Sequence, residues 1–255
     1  MKVLDCNISY GATPNGKPYK NCDTFAELCA AMRTYGIDGG LIRCGYSSTV
    51  GVVYGNSMVA ADIASDEAAG LDMWGVWAVL PPHTNEIPSP DELPAEMAKH
   101  RIAALYLNPG AHRYVPNRIS IGAYLKMAEE RRIPVILNTY YGISMAQIAE
   151  IMEMYPKLTA LVGDTDCWPN ARRLYPLAYS FENLYLDLSY VMDDQGVEDM
   201  IRRFGADRLV FGTAFPERYT GSVMAMVRAA EISDEDRAKI FGGNLERIIG
   251  QEVLK

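Results

Sequence analysis

The amino-acid sequence predicts an α/β fold, namely a single-domain (β/α)8 TIM barrel with extra C-terminal helices across residues 1–255. The length of 255 residues is the usual size of one such barrel. Short apolar or β-branched runs alternate with longer segments of helical period, which is typical of βα units around a parallel sheet. An open, doubly wound sheet is the alternative, but the turn from Cys6 to Gly11 lacks the glycine-rich phosphate motif of that fold.

Eight short runs are predicted to form the strands of the barrel. They span Val3–Ile8, Gly40–Cys44, Met73–Leu80, Ile102–Leu107, Pro134–Asn138, Leu158–Val162, Asn183–Leu188 and Arg208–Gly212. Each run is followed by a predicted helix, so the chain has the eightfold repeat of strand and helix that a closed barrel needs. The loop after the third run, from His83 to Pro94, is long and rich in proline, which suggests a binding site.

The first predicted helix has the period of an amphipathic helix. Apolar side chains recur at Phe25, Leu28, Cys29 and Met32. Their spacing of three and four residues places them on one face, which we expect to pack on the sheet. Gly36 follows as a C-terminal stop.

The ends of later helices are also marked in the sequence. Ser144 and Gln147 form a predicted capping box, and Pro156 ends the helix that this box begins. Near the C-terminus, Ser233 opens a short helix, and Asn244 is predicted to cap another behind a Gly-Gly break. These last two helices are the extra elements added to the barrel.

The net charge excludes some classes of partner. A formal charge of −8 and a pI near 5.0 argue against nucleic acid and anionic membranes, because both require a basic surface. We therefore expect a small-molecule substrate or ligand, and the sequence is compatible with a homo-oligomer. No signal peptide or membrane-spanning run is visible, so we expect a cytoplasmic protein with its five scattered cysteines reduced.

Several segments resemble the amidohydrolase superfamily, in particular its amidohydrolase-related metal-dependent hydrolases with TIM-barrel folds. The resemblance is carried by residues 134–138, 155–164, 183–189, 208–216 and 232–250. It therefore spans much of the chain. The resemblance implies the same barrel fold and a hydrolytic reaction at its mouth.

The metal ligands of that family are changed in this chain. The family uses an Asp-x-His-x-His motif on strand one, a His on each of strands five and six, and an Asp on strand eight. The matching positions are Asn7, Ser9, Asn138, Asp164 and Ala214. Amides and hydroxyls bind transition metals weakly, so we expect no metal site of the family type and no cofactor. A weakly bound divalent cation at Asp164, Asp166 or Asp187 remains the alternative.

Three residues are candidates for the catalytic step. Asp164 and Asp166 lie two apart on an extended segment, and two close carboxylates raise one pKa, which creates an acid or a base. Asp164 is the preferred base, although it could instead cap the helix that begins near Pro169. His112 could transfer a proton or donate to an oxyanion near neutral pH.

Other polar and aromatic residues near the predicted strand ends are candidates for substrate binding, since barrel active sites lie at that edge. They are Asn7, Ser9, Arg43, His83, Asn108, Arg113, Asn138, Tyr140, Trp168, Asp187 and Arg218. The arginines could clamp a substrate carboxylate through two bonds, or form structural ion pairs. Asp5 could belong to this wall or be a buried acid bonded to neighbouring backbone.

Three functions agree with these residues. The first is an amidohydrolase-like hydrolase, independent of metal, that acts on a small carboxylated or hydroxylated compound such as a lactone or amide. The second is a non-catalytic small-molecule binder with the same fold. The third is a glycoside-processing barrel that uses two acids from Asp164, Asp166, Asp187 and Glu217, with the family resemblance against it.

Overall fold

The computed structural model describes residues 1–12, 19–163 and 167–250, without the side chains of 167–170. Eight parallel strands lie in chain order around one sheet, which confirms the predicted (β/α)8 barrel. The strands are β1 (Leu4–Tyr10), β2 (Gly39–Cys44), β3 (Asp72–Ala78), β4 (Ile102–Tyr106), β5 (Val135–Asn138), β6 (Ala160–Gly163), β7 (Leu184–Asp187) and β8 (Leu209–Val210). Each predicted run contains most of one strand.

Helices follow each strand, and the longer ones cover the outside of the sheet. They are α1 (Phe25–Tyr35), α2 (Tyr46–Thr49), α3 (Val52–Ile63), α4 (Leu93–Lys99), α5 (Pro109–His112), α6 (Gly122–Arg131), α7 (Met145–Met154), α8 (Cys167–Ser180), α9 (Gly196–Phe204), α10 (Thr220–Ala229), α11 (Asp234–Ala238) and α12 (Asn244–Ile249). The last two are the extra C-terminal helices that the sequence predicts.

The barrel closes between its last and first strands. The amide of Cys6 donates to the Phe211 carbonyl at 2.9 Å, and the amide of Ser9 donates to the Phe215 carbonyl at 2.9 Å. The β1–β2 register shifts between Asp5 and Ile8, so β1 is irregular beside this seam. The closure brings residues of β1 next to residues that follow β7 and β8, although they lie some two hundred positions apart in the chain.

The predicted helix ends are confirmed at three places. Gly36 ends α1 in the left-handed conformation, with φ of 68°, which explains why glycine suits this position. Ser144 and Gln147 form both bonds of the capping box at the start of α7. Ser233 accepts from the Asp236 amide at 3.0 Å and caps α11.

The predicted role of Asn244 as a helix cap is wrong. Residues 239–243 form a π-helical turn that continues directly into α12, so no break precedes Asn244. Its side-chain nitrogen instead donates to the carbonyls of Ala206 at 2.8 Å and Leu209 at 2.7 Å. Asn244 therefore anchors the C-terminal helix to β8.

Two further observations concern the cysteine side chains and the hydropathy of the helices. Cys6, Cys22, Cys29 and Cys44 are buried free thiols, as expected for reduced cysteines. Within the described ranges, no helix has both the length and the hydropathy needed to cross a membrane.

Candidate active site

The guanidinium of Arg43 lies inside the mouth of the barrel. Arg43 belongs to β2 and its side chain is buried. One of its terminal nitrogens, Nη2, donates to Oδ1 of Asn7 on β1. The guanidinium carbon lies 5.4 Å from the ring centre of Tyr141, within range of a cation–π interaction. Arg43 therefore places a fixed positive charge where β1, β2 and the loop after β5 meet.

The Asn7 amide is held from its other side by the end of β7. Its Nδ2 donates to Oδ2 of Asp187 at 2.7 Å and to the Ser189 hydroxyl at 3.1 Å. Ser189 in turn donates to Oδ1 of Asp187 from its amide, at 2.9 Å, and from its hydroxyl, at 2.5 Å. These bonds fix the orientation of Asn7, with its nitrogen toward the acid and its oxygen toward Arg43.

Asp187 is a buried acid whose hydrogen bonds are directed inward. Both of its oxygens accept bonds from Asn7 or Ser189. Burial raises its pKa, and the bonds from Ser189 and Asn7 oppose this effect. Asp187, which the sequence analysis proposes for substrate binding, lies at the end of β7, and its contacts are those of a residue that positions Asn7.

Asp5 is a buried acid that bonds to Thr213, after β8, and to the backbone of β1. It accepts from the Thr213 hydroxyl at 2.5 Å, the Thr213 backbone amide at 3.1 Å and the Asn7 backbone amide at 2.9 Å. Burial raises the pKa of Asp5 to about 6, although the bonds from Thr213 and Asn7 lower it. Of its two sequence interpretations, the buried acid bonded to neighbouring backbone is the one observed.

A second group of polar residues lies where α2 meets the loop after β4. His112 Nε2 is 3.0 Å from the Ser47 carbonyl, and burial lowers the pKa of His112, which favours the neutral ring. Asn108 donates to the Ser48 hydroxyl at 2.8 Å and accepts from the Ala111 amide at 3.2 Å. Both predicted residues therefore hold these two segments together.

Tyrosines extend the site from this group toward Arg43. The Tyr106 and Ser47 hydroxyls are hydrogen-bonded, and the Tyr106 ring centre lies 5.7 Å from that of Tyr141. Tyr140 lies edge-on to Tyr141 with ring centres 5.8 Å apart. Asn138 begins this turn, since its side chain accepts from the Tyr140 amide at 2.8 Å.

The loops after β7 and β8 form a rim over the cluster. The Arg218 guanidinium carbon lies 3.9 Å from the Tyr190 ring centre, and the Tyr190 hydroxyl is 3.5 Å from Oε2 of Glu217. Burial raises the pKa of Glu217, and the positive charges of Arg43 and Arg218 oppose that rise. Glu217 is thus a half-buried carboxyl group within electrostatic range of Arg43.

The remaining predicted residues lie apart or outside the described part of the chain. His83 and Arg113 are exposed, and Ser9 is half-buried on β1. Asp164 and Asp166 fall outside the described residues, and the Trp168 side chain is not described.

At the family's metal positions the described residues are Asn7, Ser9, Asn138 and Ala214, none of which is a histidine or a carboxylate. The Asn7 oxygen accepts from the Arg43 guanidinium, the Asn138 side chain accepts from a backbone amide, and Ala214 has no ligand atom. A cation beside Arg43 would also meet a like charge. In the described ranges, no group of three or more His, Cys, Asp or Glu residues could hold a metal ion.

Ser189 and Tyr106 carry no role in the sequence-based prediction, yet Ser189 bonds to Asn7, and Tyr106 bonds to Ser47 and lies beside Tyr141. The sequence gives a weak indication of a role for Ser189, because it follows Asp187 by two residues at a strand end. It gives no such indication for Tyr106, since this residue resembles any core residue of β4. Only the closure of the barrel shows which of these strand ends meet.

Comparison with solved structures supports the barrel. An uncharacterised TIM-barrel protein from Bordetella bronchiseptica is 22% identical, with 98% of this chain and 99% of that chain covered and a TM-score of 0.72. A probable 2-pyrone-4,6-dicarboxylic acid hydrolase from Acinetobacter baumannii, with citric acid bound, is 13% identical, with 98% and 100% covered and a TM-score of 0.72. A 2,6-dihydroxybenzoate decarboxylase from Rhizobium is 14% identical, with 98% of each chain covered and a TM-score of 0.71.

Sequence comparison places the chain in a family. No curated protein sequence matches it significantly. The sequence profile of the amidohydrolase family, however, matches residues 56–251, which is more than half of the chain. The resemblance in the tail and in the middle strands is thereby confirmed, and the protein belongs to the amidohydrolase family.

Proposed function

We propose that this protein is a metal-independent enzyme that hydrolyses a lactone, ester or amide bond in a small carboxylated compound. The observation that carries this proposal is the buried Arg43 guanidinium. It is bonded to Asn7, the residue that stands where the family has a metal-binding histidine. A fixed organic cation then supplies positive charge at the mouth of the barrel.

Recognition of a carboxylate follows from the chemistry of the guanidinium. Its planar set of N–H donors matches a carboxylate through two parallel bonds. Burial strengthens such an interaction, because nearby water no longer screens the charges. The Asn7–Asp187 contact fixes the arginine in advance, which lowers the entropy cost of binding.

Hydrolysis also requires a group that activates water. Asp164 remains our proposed base, with Asp166 and His112 as further candidates for proton transfer. The base takes a proton from water while the water oxygen bonds to the substrate carbonyl carbon. The bond to the leaving oxygen or nitrogen then breaks, and the leaving atom receives the proton.

The substrate class is supported by the names of similar proteins. One is called a probable hydrolase of a pyrone dicarboxylic acid and another a decarboxylase of a dihydroxybenzoate, so both names refer to small carboxylated compounds. The family membership supports hydrolysis as the first reaction to test.

The test is an assay of carboxylated lactones, esters, amides and hydroxybenzoates, with and without chelator. We expect turnover that resists chelator, is lost in Asp164→Asn and survives in Asp91→Asn, a control at an exposed acid. Release of carbon dioxide would show that the reaction is a decarboxylation and not a hydrolysis. Tight carboxylate binding without turnover would favour the non-catalytic binder.

A further inference from the structure

The turn after β8 places a carboxyl group at the mouth of the barrel. Residues 214–218 form this turn, in which the Ala214 carbonyl accepts from the backbone amides of Glu217 at 2.9 Å and Arg218 at 3.1 Å. Ala214 has the left-handed conformation, with φ of 53°, which residues other than glycine seldom adopt. Such strain persists where the surrounding structure holds the chain in place, and it is common at functional sites.

The turn is fixed to the first strand, beside Arg43. The Ser9 amide donates to the Phe215 carbonyl at 2.9 Å, and Ser9 is the residue of β1 that pairs with Arg43 of β2. The Phe215 amide also donates to the Thr213 hydroxyl at 3.2 Å. Glu217 follows two residues later, so backbone contacts set its position relative to the arginine.

Glu217 differs from the two buried acids of the site in its hydrogen bonds. Both oxygens of Asp187 and both oxygens of Asp5 accept bonds of 3.1 Å or less from neighbouring groups. Glu217 is half-buried, and among the described residues Tyr190 is the one that donates to it, to Oε2 over 3.5 Å. Of these three carboxyl groups, Glu217 is therefore the one with an oxygen available to a bound molecule.

In the described part of the chain, the charged and titratable groups that face Glu217 come from three segments. Arg43 comes from β2, Tyr190 from the turn after β7 and Arg218 from the same turn as the acid. Partial burial raises the pKa of Glu217, and these three groups oppose the rise. A substrate carboxylate on Arg43 would offset one of the opposing charges, so binding itself favours the protonated form of Glu217.

We propose that Glu217 is the proton donor to the leaving atom in this hydrolysis, a role that rests on the proposed function. Protonated Glu217 transfers its proton to the leaving oxygen or nitrogen as the bond from that atom to the carbonyl carbon breaks. The electron pair of the broken bond stays with the leaving atom, which the proton neutralises. Glu217 is left as a carboxylate, and the proton that the base took from water returns it to the acid form.

The test compares two monoesters of terephthalic acid, which keep one carboxylate for Arg43 and differ in their leaving groups. The methyl ester releases an alkoxide that needs a proton, whereas the nitrophenyl ester releases a stable anion that does not. Glu217→Gln keeps the size of the side chain but cannot donate a carboxylic proton. We expect its kcat to fall about 100-fold or more on the methyl ester and to change little on the nitrophenyl ester.

The nitrophenyl ester also serves as the control for folding, since turnover of this ester by Glu217→Gln shows an intact site. Glu153→Gln, at an exposed position in the last turn of α7, is the matched control and should cleave both esters as the wild type does.

The pH profile of kcat gives a second readout. Wild-type kcat on the methyl ester should fall as pH rises through the raised pKa of Glu217, because the donor is lost on ionisation. This fall should be absent with the nitrophenyl ester. Since kcat is measured at saturating ester, the pH dependence of carboxylate binding does not enter the comparison.

Equal losses on the two esters in Glu217→Gln would overturn the donor role, as would an unchanged kcat on the methyl ester. In both cases the hydrolysis itself would stand. A wild type that cleaves neither ester would contradict the proposed ester hydrolysis and would overturn the donor role with it.

Discussion

The Nδ2 atom of Asn7 lies 2.7 Å from Oδ2 of Asp187, across the seam that closes the barrel. Because an amide has one donor end and one acceptor end, this bond turns the Asn7 oxygen toward Arg43. A buried acid and a buried guanidinium are thus joined through a neutral side chain. The position of the cation depends on this amide.

Replacing Asn7 by leucine is expected to destabilise the protein. The change keeps the size of the side chain but removes bonds from two buried charged groups, which costs about 3 kcal/mol. Urea unfolding measures this loss. Asn21→Leu, at an exposed position, is the control, and equal losses in both variants would contradict the role of Asn7.

The raised pKa of Asp5 predicts a dependence of stability on pH. Asp5 ionises at about 6 in the folded protein but near its ordinary value of 3.8 when unfolded. Between these values the folded state holds the proton and the unfolded state releases it, so stability falls as pH rises. The loss is complete above pH 6 and amounts to about 3 kcal/mol.

This loss can be isolated by comparison with Asp5→Asn, which does not titrate. The stability of the wild type minus that of the variant, from urea unfolding at a series of pH values, should decrease between pH 4 and 6. A difference that stays constant over this interval would show that Asp5 is not held protonated in the folded state.

Arg43→Met is expected to weaken the binding of small carboxylates by about tenfold or more, because a charge-assisted bond is lost. Thermal stabilisation by citrate and benzoate measures the binding. Arg131→Met is a control at an exposed position. If citrate and benzoate stabilise Arg43→Met as much as the wild type, carboxylates bind at a different site.

Glu217 is expected to make carboxylate binding depend on pH. Burial raises its pKa, and once ionised it competes with the ligand for the charge of Arg43. Binding should therefore weaken as pH rises through the raised pKa of Glu217. Titration calorimetry on Glu217→Gln should give a flatter pH profile, and a profile that matches the wild type would contradict this role.

The fold could be predicted from the sequence because the patterns that mark its helices and strands are local. The capping box of Ser144 and the stop at Gly36 depend on neighbouring residues, and both occur as predicted. Asn244 has a local pattern that suggests a cap, but its amide instead bonds to carbonyls more than thirty residues earlier. A distant contact overrides a local preference there.

The candidate site could be predicted only in part, because most of its contacts are not local in the sequence. Strand ends could be recognised, so Asn7, Arg43 and Asp187 could each be placed at the mouth of the barrel. Their mutual bonds could not, because Asn7 and Asp187 are 180 positions apart and meet only when the barrel closes. Burial, which separates the exposed His83 from the buried Arg43, also depends on the packed structure.

The metal content of the purified protein tests the central claim most directly. The protein would be produced in medium supplemented with zinc and manganese, and the metal per chain determined by elemental analysis. We predict far less than one metal ion per chain, since Arg43 already bonds to Asn7 at the family's metal position. A transition metal bound at one ion per chain would contradict this account and restore metal-assisted hydrolysis.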